Sequence, residues 1–250
     1  MKPSFSIMPS SQHSMDIATL LTRYAAGERE FSQVNFQEVE LTNLTLSDAN
    51  FSHADFRHAR LGRTNLSRAC LQFADLSEAI LWGTDLSAAD LSGAVLREAD
   101  LSGAMLMHAQ LDGANLCKAI LSGAILAQAS LTQANLIEAD LRSTSSHRTN
   151  LQGANLSGTD LSYAQLNEAI LCRANLTGAK LCRANLRRGV GQDFLAVDLT
   201  GANLQNADLS YADLTGVLLR QADLRGADLT GTILIDADTQ GTLFSEISAG

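Results

Sequence analysis

Large apolar side chains recur every fifth residue between positions 31 and 186. Phe31, Phe36, Leu41, Leu46, Phe51, Phe56 and Leu61 open a series that runs to Leu141 and resumes from Leu151 to Leu186, broken only at Ser146. Two residues before each stands a small side chain, most often alanine, as at Ala49, Ala54, Ala59, Thr64, Ala69, Ala74 and Ala79. A period of five fits neither the 3.6 of a helix nor the 2.0 of a long strand, so neither element can bury these leucines on one face. The chain must therefore turn once per quintet. Three extended residues send the small residue and the leucine to one side and the polar residue between them to the other, and the remaining two form a corner. The expected product is a solenoid with leucine and alanine inside.

The slot before each leucine indicates how many quintets close one coil. Sampled every twenty residues it reads Asn35, Asp55, Asp75, Val95, Asn115, Asn135, Asn155 and Asn175, whereas the series Glu40, Arg60, Ile80, Asp100, Ile120 is mixed. This predicts four quintets per coil and four distinguishable faces. The quintets Ala74-Asp75-Leu76-Ser77-Glu78 and Ala154-Asn155-Leu156-Ser157-Gly158 resemble the A(D/N)LXX motif of the pentapeptide-repeat family. The resemblance implies an all-β solenoid, a right-handed quadrilateral parallel β-helix. At about 4.8 Å per coil, some ten coils make a rod on the order of 50 Å long.

The ends and breaks of the pattern set the domain boundaries. Residues 1–13, with Pro3 and Pro9, are expected to be a disordered tail. Over 14–27, Ile17, Leu20, Leu21 and Tyr24 fall at helical spacing, with Ser14 as the expected N-cap and Gly27 as the stop. This helix is expected to cap the open end of the solenoid. Phe31, Phe36, Phe51 and Phe56 suggest a wider interior beside it. The repeats fill 28–244, with breaks at 142–149 and 187–193, and 245–250 form a C-terminal tail. The first break keeps the frame, since Leu141 and Leu151 are two quintets apart, and is expected to leave the coil as a loop. Replacing Ser146 with leucine is expected to stabilise the protein. The second break carries three extra residues before Phe194, after which Leu199 restores the frame.

Exposed positions supply the candidate partner-binding residues. The outward slots of 80–127 hold Ile80, Trp82, Val95, Met105, Met107, Ile120 and Ile125. Met105 and Ile125 should stack on one face, and Ile80 and Ile120 should share the adjacent face with Trp82. An apolar group containing Trp and Met is typical of a protein interface. His147 and Arg148 in the first break, and Arg183, Arg187 and Arg188 around the second, complete the set. The run Arg173, Lys180, Arg183, Arg187, Arg188 contains no acid and forms a local positive region. Arg57, Arg60, Arg63 and Arg68 are instead expected to be spread over three faces.

Charge and chemistry narrow the function classes. The net charge of −9 comes from 27 acids interleaved with 18 bases. A strict mimic of ~50 Å of B-DNA would need about thirty negative charges, one per 1.7 Å, so this charge is about a third of that. Cys70, Cys117, Cys172 and Cys182 are never twenty residues apart, which disfavours a disulfide or a zinc site. The five histidines are scattered, and a nucleophile elbow, a P-loop and a dinucleotide fingerprint are missing. An enzyme is not expected, nor a cofactor, metal, small-molecule substrate or direct nucleic-acid ligand. No window reads as a membrane helix, and the N-terminal residues do not read as a signal peptide, so a soluble cytoplasmic protein is expected.

Stretches that the repeat does not dictate carry a further resemblance. Arg23-Tyr24-Ala25-Ala26-Gly27, Glu40-Leu41-Thr42-Asn43, Ala79-Ile80-Leu81-Trp82-Gly83 and Gly178-Ala179-Lys180-Leu181-Cys182-Arg183-Ala184-Asn185 are similar to cyanobacterial members of the family that regulate heterocyst differentiation. That resemblance implies a scaffold that binds the transcription factor HetR and modulates its inhibition by a peptide signal. The alternative implied by other family members is an acidic DNA mimic that binds DNA gyrase. The missing charge, and the lack of a long helical segment after 244, weigh against it.

Overall fold

The computed structural model describes residues 13–188 and 195–245. Its elements, in chain order, are β1 (His13–Ser14), α1 (Ile17–Ala25), β2 (Val34–Asn35), β3 (Asp223–Leu224) and β4 (Leu243–Phe244). Between β2 and β3 the chain forms one short parallel bridge per quintet. The bridges close a right-handed quadrilateral β-helix.

Each corner follows from local chemistry. Ala74 N–H donates to the Leu71 carbonyl at 3.1 Å, closing a β-turn around Gln72 and Phe73. The second residue after the inward leucine of an ordinary quintet adopts a left-handed backbone, at φ 56° for Phe73 and 57° for Glu78 and Arg68. This conformation costs a non-glycine residue about 1–2 kcal/mol, and glycine occupies the slot at Gly83, Gly93 and Gly103. The polar residue before each leucine opposes that cost. Asp75 Oδ1 accepts the Ser77 N–H at 3.0 Å, holding the entry to the corner in an Asx turn. Between coils, Leu71 N–H donates to Asp90 O at 2.7 Å and Asp90 N–H to Ala69 O at 2.9 Å, and this pair repeats along the rod.

Four ladders give four faces. The first begins Glu30, Asn50, Cys70; the second Asn35, Asp55, Asp75; the third Glu40, Arg60, Ile80; the fourth Thr45, Asn65, Asp85. The first ladder climbs ten steps from Glu30 to Leu243. Leucine and alanine fill the interior, fully buried from Leu41 to Leu224. In the first two coils Phe31 stacks on Phe51 at 5.6 Å and Phe36 on Phe56 at 5.1 Å, beneath α1.

The N-terminal cap differs from expectation in three ways. His13 and Ser14 pair with Val34 and Asn35 as a strand, so position 13 is not tail. Because Ser14 is held in that strand, Asp16 becomes the N-cap and accepts the Thr19 N–H at 2.8 Å. Leu20 is the buried anchor of α1, while Leu21 points outward. Tyr24 reaches the Ser47 carbonyl at 3.0 Å and fixes α1 across the first coil. Residues 1–12, and 246–250 of the expected tail, lie outside the described residues.

Two coils are longer than twenty residues. Ile120 pairs with Asp140, but Ile125 pairs with Asn150, so one whole quintet is extruded from that coil. Ser146 lies exposed in the extruded loop, and the expected gain from a leucine there loses its basis. The next long coil joins Ile170 to Asp198 and Asn185 to Asp213. It holds eight extra residues rather than three, because the fourth ladder resumes at Asp198 and not at position 193. Phe194 itself lies outside the described residues, and Leu195 beside it is exposed. The first extrusion also shifts the faces: Asn135 pairs with Asp160, while Asn155 and Asn175 belong to the first face rather than the second.

Candidate partner-binding edge

Both insertions leave the rod at the same corner, between the third and fourth faces. Trp82 occupies that corner three coils before the first insertion. Arg142, Ser143, Thr144, Ser145, Ser146, His147 and Arg148 follow Leu141 there, and Arg187 and Arg188 follow Leu186 there. We call this corner the insertion edge.

The flanking faces carry a group of exposed and half-buried apolar side chains. Ile80 and Ile120 lie on the third face with Asp100 between them, and Met105 pairs directly with Ile125 on the fourth. The expected stacking is therefore present. Further apolar residues join them: Ile233 on the third face, Ile170 and Leu218 on the fourth, and Leu195 and Ile235 on the edge itself. Sequence reasoning missed these because the coils of 25 and 28 residues displace every later position from a strict twenty-residue count. A count restarted at Leu199 would have placed Leu218 one coil above Asp198. Along the second face, by contrast, Val95 is the single apolar outward residue among Asn, Asp and Lys.

Two expected residues fall elsewhere. Met107 sits at the corner between the fourth and first faces, and Arg183 at the corner between the second and third. The positive region is also not a patch. Arg173 shares the corner of Met107, Lys180 lies on the second face 3.6 Å from Asp160, and Arg187 and Arg188 are on the insertion edge. Five bases in sixteen residues encircle the rod because that length nearly completes one coil. Arg183 lies between Tyr163 and Tyr211, 5.9 and 5.6 Å from their ring centres. Arg57, Arg60, Arg63 and Arg68 do scatter, and Arg68 pairs with Asp48 at 2.7 Å.

Trp82 lies flat along the edge. Its indole covers Gly62 in the preceding coil, where an added Cβ would stand 2.7 Å from Nε1 and 2.8 Å from Cε2. The Arg63 guanidinium packs over the ring at 4.5 Å. Gly62 leaves the space and Arg63 fixes the tilt, so a ring 37% exposed is held in one orientation.

The first insertion is an ordered loop closed at its neck and its tip. Thr149 takes the small inward slot, and its hydroxyl accepts the Gly123 N–H at 2.8 Å and donates to Arg142 O at 2.9 Å. The same two backbone groups keep a long ladder bond, Gly123 N–H to Arg142 O at 3.2 Å, which the hydroxyl reinforces at the neck. At the tip, Thr144 N–H donates to His147 O at 2.7 Å, and Thr144 Oγ1 accepts the His147 N–H at 2.9 Å. Arg142 forks onto Asp140 at 2.9 and 2.7 Å. Burial raises the Asp140 carboxyl, and these bonds outweigh it, leaving the pKa below the usual carboxylate value. His147 is exposed, with Nδ1 3.0 Å from Ser146 Oγ. Arg148 turns back and donates to the Glu168 and Ala196 carbonyls, both at 2.7 Å. The hydroxyls of 143–146, His147, Arg148, Glu168 and Leu195 line a cleft of about 530 Å³. Among the described residues, no cluster of His, Cys, Asp and Glu converges as a metal site, and no helix is long and apolar enough to cross a membrane.

Comparison with known proteins agrees with this architecture. The chain is similar to the crystal structure of HetL, a pentapeptide repeat protein involved in heterocyst differentiation regulation from the cyanobacterium Nostoc sp. strain PCC 7120. The two are 55% identical over 93% of this chain and 98% of that one, with a TM-score of 0.91. QnrB1, a plasmid-mediated fluoroquinolone resistance protein, is 17% identical over 85% of this chain and 92% of its own, with a TM-score of 0.50, a likeness of fold alone. A comparison with curated proteins gives no match. The model of pentapeptide repeats matches eight copies, in overlapping segments over residues 30–145, 149–188 and 198–236. The intervals between these segments fall at the two insertions, and with matches covering well over half its length the chain belongs to the pentapeptide repeat family.

Proposed function

We propose that this protein is a non-enzymatic interaction scaffold that regulates heterocyst differentiation in the cytoplasm. It docks HetR along the insertion edge and modulates the inhibition of HetR by its peptide signal. The observation that carries the reading is the placing of Trp82, Ile80, Met105, Ile120 and Ile125 on the edge that also carries the two insertions and on its flanking faces, on a rod whose first and second faces are otherwise almost wholly polar. The likeness to HetL supplies the regulatory context. Exposed apolar residues around a fixed aromatic ring form the core of protein interfaces, and Trp is enriched among the residues that dominate binding. The gyrase reading gains no specific support, since Asp48, Asp55, Asp140, Asp160, Asp223 and Asp238 are each engaged by an Arg or Lys.

Calorimetric titration of the purified chain with HetR tests the proposal. Trp82→Ala should weaken binding by about thirtyfold, the effect of losing a ~2 kcal/mol anchor. Met105→Ala should weaken it less, and Met107→Ala, on another corner, should leave it unchanged. Absence of binding by the wild type removes HetR as the partner. Equal affinities for wild type, Trp82→Ala and Met105→Ala would remove the edge as the interface.

A further inference from the structure

Tyr163, Arg183 and Tyr211 stand in consecutive coils on the corner between the second and third faces, away from the insertion edge. The bridges from Asp160 to Lys180 and from Lys180 to Asp208 set that order. The two rings are 48% and 58% exposed, and both occupy the left-handed slot, at φ 61° and 57°. That slot favours glycine, which fills it one coil later at Gly231. Tyr211 lies over that glycine, where an added Cβ would stand 2.7 Å from its Cδ1 and 2.9 Å from its Cε1. The Arg183 guanidinium packs between the two rings and forms no ion pair among the described residues. Rings this exposed bury little area, so the core supplies no reason for them.

The residues ahead of the rings complete a shallow channel along the rod. Ser162, Cys182 and Ser210 each precede one of the three side chains and make a floor of small groups. Across that floor runs the second face, where Asp208 and Asp228 pair in adjacent coils. Each gives one carboxylate oxygen to its own turn, accepting the Ser210 and Thr230 N–H at 2.9 Å. Among the described residues neither forms an ion pair, whereas Asp160 is matched by Lys180 at 3.6 Å. The channel therefore has an aromatic wall and an acidic wall, and the unmatched acids lie at the end nearer Gly231.

Width and pitch select the occupant. Asp208 and Tyr211 are three residues apart, no more than ~11 Å even when fully extended. The corner and their own side chains narrow the gap well below the 10–12 Å of a helix. Tyr163 and Tyr211 are two coils apart, about 9.6 Å. A strand returns to one side every two residues, about 6.6 Å, and falls out of step after one contact. A polyproline II helix rises 3.1 Å per residue with three residues per turn, so residues i and i+3 share a side at about 9.3 Å. We propose that the channel binds a proline-rich segment in this conformation, with prolines i and i+3 on Tyr163 and Tyr211 and a basic residue beyond them on Asp208 and Asp228. Proline-rich segments dock on aromatic-lined surfaces because their conformation is set before binding. Charge selects the basic residue: the chain carries a net −9, and Arg183 and Lys180 at the opposite end repel a cation and give the segment its direction. The channel shares no residue with the insertion edge, so it stands independently of HetR.

Fluorescence anisotropy on the full chain tests it, with a labelled peptide of eight prolines followed by two arginines as the probe. The wild type should bind this peptide about tenfold or more tightly than a glycine–serine peptide of the same length and charge. Tyr163→Ala and Tyr211→Ala, both changes at the surface, should each weaken binding about tenfold, the loss typical of an aromatic anchor. Asp228→Asn should weaken it less and flatten its dependence on salt. Phe73→Ala removes an equally exposed ring from the corner between the first and second faces and should change nothing. Failure of the wild type to bind the proline peptide, or equal affinity for both peptides, would overturn the proposal. A loss in Phe73→Ala as large as in Tyr211→Ala would also overturn it, leaving only the general attraction of a basic peptide to an acidic rod. Trp82→Ala should bind the peptide as the wild type does, so failure of this site and failure of the HetR reading are distinguishable.

Discussion

Gly62→Ala is a change of one methyl group that separates the orientation of Trp82 from its presence. No left-handed φ occurs at Gly62, so the backbone accepts alanine, and the cost arises entirely at the neighbouring coil. The new Cβ would stand 2.7 Å from Trp82 Nε1, well inside contact distance, and the atom it strikes is the far side of a ring that can swing outward. Displacement gives up the Arg63 contact, about 0.5–1 kcal/mol at an exposed site, and moves the side chain off its preferred rotamer, about 0.5–1.5 kcal/mol. The fold should therefore lose about 1–2.5 kcal/mol, little enough to leave the coil intact. Trp82 is the single tryptophan, so its emission reports the movement without interference. The expected result is a red shift and easier quenching by acrylamide, with roughly tenfold weaker HetR binding despite an unaltered indole. Gly103→Ala is the control. It lies one coil beyond Trp82 on the same edge, has φ 63° and meets nothing within 4 Å, so it should cost about 1 kcal/mol without changing the emission. Unchanged emission in Gly62→Ala would refute the packing argument. A red shift with full affinity would refute the claim that the ring's fixed orientation matters for binding.

Three further outcomes are expected. Deleting 142–146 places His147 and Arg148 at the corner between Leu141 and Thr149, restoring an ordinary quintet; circular dichroism and the melting temperature should stay close to wild type while HetR binding falls. Ser146→Leu should change stability by no more than about 0.5 kcal/mol in urea denaturation, because the side chain is exposed in a loop; a gain above 1 kcal/mol would place it in the core. Asp55→Asn should cost about 1 kcal/mol at pH 7, a modest figure because Arg57 is 44% exposed and screened. The side-chain bond from Arg57 is the main cause holding Asp55 below its ordinary value. Its contribution is therefore present above the unfolded carboxylate pKa of about 3.9 and lost as pH falls through the lower folded value. The gap between wild type and Asp55→Asn should narrow steadily as the pH is taken below the unfolded carboxylate value.

The fold was legible because one physical requirement, an inward leucine and an inward small residue at each corner, repeats with little interference. Asp75 and Asn155 could be recognised as turn-entry residues from their slots alone. The cap was harder: Ser14 and Asp16 are both good N-caps, and the choice depends on Ser14 pairing with Asn35, a contact across the first coil. The largest error came from counting. A series of five-residue steps looks unbroken at Leu151, yet a quintet has left the coil, so Asn155 moved to another face and Ile170, Leu218 and Ile233 could not be seen to lie beside Met105 and Ile120. Arg148 stands out in the sequence only as a residue of the first break, whereas its bonds to Glu168 and Ala196 depend on the climb of the rod. The repeat dictates where side chains point, and the insertions decide which of them become neighbours.

The four ladders also determine how the molecule would respond to force. Their hydrogen bonds run parallel to the rod, between each coil and the next, and coils farther apart do not share them. Tension applied at the C-terminal end would load the bonds of one coil at a time, as in a zipper. Leu229 and Leu234, half-buried where Leu224 is fully buried, mark the coil that yields first. Each ordinary coil would release twenty residues, roughly 65–70 Å of extended chain. The two coils that carry insertions would release longer lengths, so the insertion edge would be recorded in an extension trace as two unequal steps.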